Sequence, residues 1–250
     1  MTAHLFYVAP GDLDDARPGS SVALTGSEAR HAAGALRLGP GEPILVADTV
    51  GRRAHGTVAA VDRDTVTVTV ERLEQVSAQR PQLVLVQALA KGDRDTLAVQ
   101  SATELGVDAV VPWEAERSIV RWRGPKEAKA RRKWADALHA AAKQARRPTV
   151  PVLGPTVTGA GVRDLVEEGA VVVVLHEDAT RGLTAADAAD WAGAQRILLV
   201  VGPEGGISAA ELEALSAAGA QPRLLGRNVL RSSTAGPAAI AVLQHLLGRW

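Results

Sequence analysis

RILLVVGPEGGISAAELEAL, Arg196 to Leu215, is the stretch that decides the fold. Ile197–Val201 is an aliphatic run with no polar alternation. Such a run reads as a strand covered on both faces, the pattern of a mostly parallel sheet. Ser208-Ala209-Ala210-Glu211 is a capping box, with a hydroxyl at the cap and a carboxylate three residues on. Gly202–Gly206 is therefore a strand-to-helix loop at the carboxyl end of a strand, where ligands of open α/β sheets lie.

The loop excludes two nucleotide readings. A phosphate loop needs Lys followed by Ser or Thr after its glycines, and this chain has Ile207-Ser208. The dinucleotide fingerprint G-x-G-x-x-G is absent, because the glycines fall at 202, 205 and 206. Glu204 would also repel a phosphate. The loop suits a neutral or cationic ligand held by backbone groups, and its glycines equally suit a plain tight turn.

Outward from this loop, apolar runs alternate with helical patterns from Leu83 onward. LVLVQAL (83–89), DAVVPW (108–113), VVVVLHE (171–177) and PRLLG (222–226) are further strands. RDTLAVQSATELG is a helix stopping at Gly106, and 125–147 is a long helix with Pro125 near its start. An apolar helix closes the chain at Trp250, with Ser232, Ser233 and Thr234 as cap candidates. Strands alternating with helices predict an α/β domain. Arg231 precedes that cap, at the same sheet edge if the sheet is parallel. There it either holds an anion or stabilises developing negative charge, or simply pairs with a surface acid.

Residues 1–76 read differently. SVAL (21–24), PILVAD (43–48), GTVAAV (56–61) and the strict alternation TVTVTV (65–70) are short strands. A short helix starts at Ser27 and ends near Gly39. EQVSAQRPQ (74–82) makes a linker, giving a small barrel-like β domain over 1–76 and the α/β domain over 80–250.

Composition limits the chemistry. The chain has 250 residues, 46% of them hydrophobic, enough for a real core, and no cysteine. Disulfides, thiolate metal sites and cysteine nucleophiles are excluded. The histidines (4, 31, 55, 139, 176 and 245) show no metal-ligand spacing, so no metal is expected. The N-terminus has no signal-peptide pattern and no apolar run approaches spanning length, so a cytoplasmic protein with no membrane contact is expected. Net charge is zero, but it is segregated: Arg117–Arg147 carries eleven Lys and Arg against two acids, and Gly161–Leu215 carries three Arg against ten acids. A polyanion responds to that local excess, and RNA or DNA is the leading partner. Arg121, Lys126, Lys129, Arg132, Arg146 and Arg147 are the candidate contacts. Trp113, Trp122 and Trp134 lie in or beside the stretch, and core packing is favoured over base stacking for each.

LLVVGPEGGISAAELEAL and LLGRNVLRSSTA, with KGDRDTLAVQSATELGVDAVVPWEAERS, resemble the family of 16S ribosomal RNA uracil-N3 methyltransferases of the SPOUT superfamily. HAAGALRLGPGEPILVAD (31–48) is similar to that family's N-terminal PUA-like RNA-binding domain, which adds His31 and Arg37 as RNA contacts. The resemblance implies a trefoil-knotted α/β domain, a homodimer, and a uridine of small-subunit 16S ribosomal RNA as substrate. It implies S-adenosylmethionine as cofactor, gripped by three loops. These are Leu175, His176 and Glu177; Gly202, Pro203, Glu204, Gly205, Gly206 and Ile207; and Leu225, Gly226, Val229, Leu230 and Arg231.

The chain departs from the family in places. Where the family often has R-T-E-T, this chain has Arg231-Ser232-Ser233-Thr234, so a candidate base is missing at Ser233. The Lys of the family's Q-K-x-x-E-L-G-V is Ser101 here. The family's A-A-E-Q-S-G-R is Ala141–Arg147 with Lys143 in place of Glu, which adds positive charge. Uracil N3 must lose a proton before it attacks a methyl group, and the resulting anion can be stabilised by an Arg. Arg231 is the candidate for that role, with Glu204, Ser233 or water as the base. A ribose 2′-O-methyltransferase of the same superfamily and a non-catalytic RNA-binding assembly factor are the alternatives.

Overall fold

The computed structural model describes residues 3–250. The chain divides into two compact units, one running to Ala78 and taking in Ala142–Val150, the other made of Gln79–Ala141 and Pro151–Trp250.

The first unit is a five-stranded sheet. Its strands are β1 (His4–Tyr7), β2 (Ser21–Thr25), β3 (Pro43–Ala47), β4 (Arg52–Val61) and β5 (Thr65–Gln75), in the order β1-β3-β4-β5-β2. The β1–β3 pair is parallel and the other pairs are antiparallel. Alternation in β5 works as the sequence predicts: Val66, Val68 and Val70 are buried in the core with Phe6, Leu13, Leu24 and Ile44, while the threonines face outward. The expected barrel is a curled sheet whose edge strands β1 and β2 do not pair with each other. β4 and β5 are longer than expected, so the linker is shorter, and β1 was not anticipated. Gly56 sits at an irregularity of β4, where a Cβ would lie 2.2 Å from the Thr69 carbonyl oxygen.

The helix expected up to Gly39 is shorter. α1 spans Gly26–Arg30 and continues as a π-helical turn over His31–Ala35. Arg37, in the left-handed region at φ 56°, ends it. Residues 142–150 complete this unit, although the sequence pattern assigns them to the other. Ala142 packs against Leu5, Tyr7 and Ala47, Lys143 pairs with Glu28 at 2.7 Å, and the Tyr7 hydroxyl donates to the Arg147 carbonyl at 2.8 Å.

The second unit carries a parallel sheet. β6 (Gln82–Ala88) is followed by α2 (Arg94–Glu104), β7 (Ala109–Glu114), α3 (Pro125–Gln144), the two-residue β8 (Val152–Leu153) and β9 (Val157–Thr158), and a 3-10 turn over Gly159–Leu165. Then come β10 (Ala170–Leu175), α4 (Ala185–Trp191), β11 (Arg196–Val201), α5 (Ala209–Ala217), β12 (Gln221–Arg223) and α6 (Ser232–Leu246). The order is β12-β10-β11-β6-β7-β8, with β9 also on β7. Ile197–Val201 are all buried, as their unbroken apolar run predicts. One sheet face packs Val84, Val86, Val172, Val174, Leu198 and Val200 against Leu215 of α5 and Val162. On the other, Gly236 lets α6 approach so closely that a Cβ there would lie 2.6 Å from Leu85 Cδ1.

Three helix boundaries matter for the site. Ser208 caps α5 as predicted, its Oγ accepting from Glu211 N while Glu211 accepts from Ser208 N. The caps expected for α6 do not form, because the N-cap position is Arg231 and its side chain makes no cap bond. Ser232 Oγ instead accepts from Gln87 Nε2 at 2.9 Å. α3 ends at Gln144 rather than 147, because Arg146 turns into the left-handed region at φ 54° and Pro148 follows. Among the described residues no helix is long and apolar enough to cross a membrane.

Candidate active site

β12, β10, β11 and β6 are adjacent and parallel, so their carboxyl ends share one edge of the sheet. The segments leaving that edge enclose a cavity of about 320 Å³. Its apolar wall is Val201, Ile207, Leu230 and Ala235, and its polar groups are Arg94, His176, Glu177, Glu204, Arg231 and Ser232. That size and mixture are those of a small-molecule site.

The loop after β11 is shaped by its glycines. Gly206 has φ 74°, a conformation that favours glycine. A Cβ on Gly202 would lie 2.7 Å from Ile207 Cγ1, so the loop folds tightly over its own end. Gly205 faces away from the cavity: a Cβ there would lie 3.2 Å from Arg117 Cβ, and Arg117 Nη1 donates to the Gly205 carbonyl at 3.2 Å. Glu116 N donates to Glu211 Oε1 at 2.7 Å, so the loop after β7 also braces the first turn of α5, which follows the glycine loop.

The expected cofactor residues therefore come together unevenly. Leu175, His176, Glu177, Gly202, Pro203, Glu204, Gly206, Ile207, Val229, Leu230 and Arg231 all line the cavity. Leu225 lines a smaller adjoining one of about 100 Å³ that shares Leu175–Glu177, Val229 and Leu230. Gly205 and Gly226 line neither. Ser233 is buried in the first turn of α6 and does not line the cavity, whereas Ser232 does.

Electrostatics divide the rim. Glu204 Oε1 accepts from Arg94 Nη1 at 2.8 Å. Arg94 was not anticipated from the sequence. Arg231 is exposed, and its side chain has no hydrogen-bond or ion-pair partner among the described residues. Deeper beside the same edge, Arg223 donates from Nε and Nη2 to Asp187 Oδ1 at 3.1 and 2.7 Å, and Thr184 Oγ1 donates to Asp187 Oδ2. The Arg223 hydrogen bonds hold the Asp187 carboxyl below the usual range against the opposing effect of burial.

The basic stretch separates into spent and free cations. Arg121 donates to the carbonyls of Ala115 and Glu116, Arg131 to Thr156 Oγ1, and Lys133 pairs with Asp93. Arg121 is thus a strut of its own loop, which weakens its candidacy as an RNA contact. Among the described residues Lys126, Lys129, Arg132 and Arg146 are exposed without a side-chain partner, and Arg147 is half-buried. His31 and Arg37 are exposed on the first unit, with the His31 ring 5.9 Å from that of Phe6. Trp113, Trp122 and Trp134 are buried, and the last two meet edge-on at 5.1 Å, so they serve the core. Among the described residues no three His, Asp or Glu side chains are grouped to hold a metal ion.

A parallel sheet with a ligand-sized cavity at its carboxyl edge defines an α/β fold that binds a small molecule, and the family models make its class an RNA methyltransferase. The RNA methyltransferase domain model matches residues 78–244, and the RNA methyltransferase PUA domain model matches 24–71. The chain belongs to the ribosomal RNA small subunit methyltransferase E family. A member from Mycobacterium bovis is 41% identical over 256 residues, covering 100% of this chain and 94% of the relative. The structure of the Neisseria gonorrhoeae member bound to S-adenosyl methionine matches with TM-score 0.80 and 28% identity over 98% of both chains. A Legionella pneumophila methyltransferase in complex with the same cofactor also matches, with TM-score 0.80 and 26% identity over 98% of both chains.

Proposed function

We propose that this protein transfers the methyl group of S-adenosylmethionine to N3 of a uridine in the 16S ribosomal RNA of the small subunit. One observation carries the reading: the cofactor loops implied by sequence resemblance meet at one cavity, and an arginine without a partner stands on its rim. The family membership and the cofactor-bound relatives support it. The cavity fits the cofactor chemically. Its wall is apolar enough for an adenine ring, its glycine loop exposes backbone groups, and Glu177 and Glu204 are carboxylates that would offset the charge of a sulfonium.

When bound, S-adenosylmethionine supplies an electrophilic methyl group. The chain's own residues hold the uracil in line with it and manage charge. Transfer would form the bond between N3 and the methyl carbon as the carbon–sulfur bond broke with its electrons going to sulfur, and the N3 proton would leave. Arg231 faces the negative charge that spreads onto the uracil carbonyl oxygens. Ser233 is buried in α6 and one oxygen of Glu204 accepts from Arg94, which favours water over either as the proton acceptor. Lys126, Lys129, Arg132 and Arg146, with His31 and Arg37 of the first unit, hold the RNA backbone. In this reading residues 1–76 and 80–250 are the functional domains, the protein is a cytoplasmic homodimer, and no metal takes part.

The test is nucleoside mass spectrometry of small-subunit RNA incubated with the protein and labelled cofactor. Label in 3-methyluridine is expected. Label in 2′-O-methyl nucleosides would replace this reading with ribose methylation. RNA binding without label, on naked RNA and on assembled subunits alike, would make the protein an assembly factor.

A further inference from the structure

The cavity holds a second cation that neither the sequence reading nor the family match assigns. Arg94 lines it from the first turn of α2, on the strand–helix connection after β6. This connection is held with unusual care. Gly92 and Asp93 are consecutive left-handed residues at φ 63° and 62°. The second carries a side chain, at a strain of about 1 kcal/mol. Asp93 pairs with Lys133 of α3. The next acid, Asp95, is buried and accepts from Ala90 N at 3.3 Å and Thr96 N at 2.6 Å, closing the turn from inside. The residue delivered between these two anchors is Arg94. Its guanidinium donates from Nη1 to Glu204 and has no other partner among the described residues, and its side chain is 46% exposed. A guanidinium has five N–H donors in a rigid fork, so most of its hydrogen-bonding capacity still faces outward.

Resting on the proposed N3 methylation, we propose that Arg94 is a second substrate-contacting arginine. Glu204 aims its guanidinium at a carbonyl oxygen of the target uracil. Deprotonated uracil carries its charge on O2 and O4, which flank N3 on either side, so one arginine covers only half of it. Arg94 and Arg231 approach the same cavity from different strand ends, one after β6 and one after β12. Two guanidinium donors select a ring with carbonyl oxygens on both sides of N3. Cytosine presents an amino group on one side and is rejected, because donor would meet donor. Glu204 then acts as a positioning residue.

The experiment compares wild type, Arg94→Ala, Arg94→Lys and Glu204→Gln on small-subunit RNA transcribed with uridine or with 5-fluorouridine. The N3 proton of 5-fluorouridine leaves more readily, so its anion needs less help. Arg94→Ala is expected to lose about 100-fold in kcat on uridine RNA, the cost of one missing donor to a developing anion. It should bind S-adenosylmethionine within about twofold of wild type, because the proposed contact is to the uracil and not to the cofactor. On 5-fluorouridine RNA the loss should shrink by about tenfold or more. Arg94→Lys should recover part of the rate, and Glu204→Gln, which keeps an acceptor for Arg94, should lose much less than Arg94→Ala. A loss equal on both RNAs, accompanied by weaker cofactor binding, would reduce Arg94 to a brace of the glycine loop and overturn the proposal. So would an unchanged kcat. Wild-type protein that leaves N3 of uridine unmethylated on this RNA and on subunits assembled from it would overturn the function itself; wild-type methylation matched by Arg94→Ala would overturn this assignment alone.

Discussion

Asp187 and Arg223 meet in the interior with side chains 4% and 6% exposed, whereas Arg94 and Glu204 meet on the cavity rim at 46% and 36%. Both pairs stand beside the carboxyl ends of the sheet strands, and both join an arginine to a carboxylate at 2.7–2.8 Å. The interior pair is saturated: Asp187 also takes the Thr184 backbone N–H and hydroxyl, and Arg223 also donates to Gln221 and to the Pro222 carbonyl. The rim pair is left half-used. Solvent screens a rim pair until it contributes little stability, while loss of one partner from an interior pair strands a buried charge. Burial therefore separates a pair that holds the edge together from one that is available to a ligand.

The largest effect that could break this comparison is on stability. Asp187→Ala should cost about 3–5 kcal/mol in urea denaturation, because Arg223 is left buried and unpaired. A cost below about 1 kcal/mol would mean that the interior pair is no more structural than the rim pair. Acidification sharpens the same contrast. The folded-state pKa of Asp187 is lowered, by the Arg223 hydrogen bonds above all, so its stabilisation is complete above the ordinary carboxylate range. It is lost as pH falls through the depressed value. The stability advantage of wild type over Asp187→Asn should hold at neutral pH and shrink below about pH 4. An advantage that grows on acidification would reverse the assignment.

The contrast extends to the basic helix, where Lys133 is paired and, among the described residues, Lys126, Lys129 and Arg132 are not. Replacing those three by Ala should lower the slope of log binding constant against log salt by about 2–3 for RNA, with folding unchanged. An unchanged slope would make them a solvated face. The smallest effect is that of Arg94→Ala on stability, expected within about 1 kcal/mol of wild type in the same urea titration. A larger loss would turn the rim pair into a second structural clamp.

Features fixed by local patterns were legible in the sequence. The unbroken run Ile197–Val201, the capping box at Ser208 and the alternation in Thr65–Val70 each depend on neighbours within a few residues, and each forms as read. Features set by distant partners were not. Arg94 meets Glu204 across 110 positions, and the only trace of it was a Gly-Asp turn after a strand, a common enough punctuation. Ser232–Thr234 look like caps, but Gln87 claims the Ser232 hydroxyl from 145 positions away. The end of α3 moved because a left-handed Arg146 follows it, where sequence patterns look for glycine. Residues 142–150 joined the first unit through Ala142, Lys143 and the Arg147 carbonyl, contacts that no periodicity encodes.

The central claim is that the unpartnered charge on the rim serves chemistry. The most direct measurement is the single-turnover rate of methyl transfer to small-subunit RNA by Arg231→Ala at saturating S-adenosylmethionine. Removing one donor to a developing anion should slow transfer by about 100- to 1,000-fold at full cofactor occupancy. Transfer at the wild-type rate would contradict the account, because the exposed arginine would then have no part in the reaction.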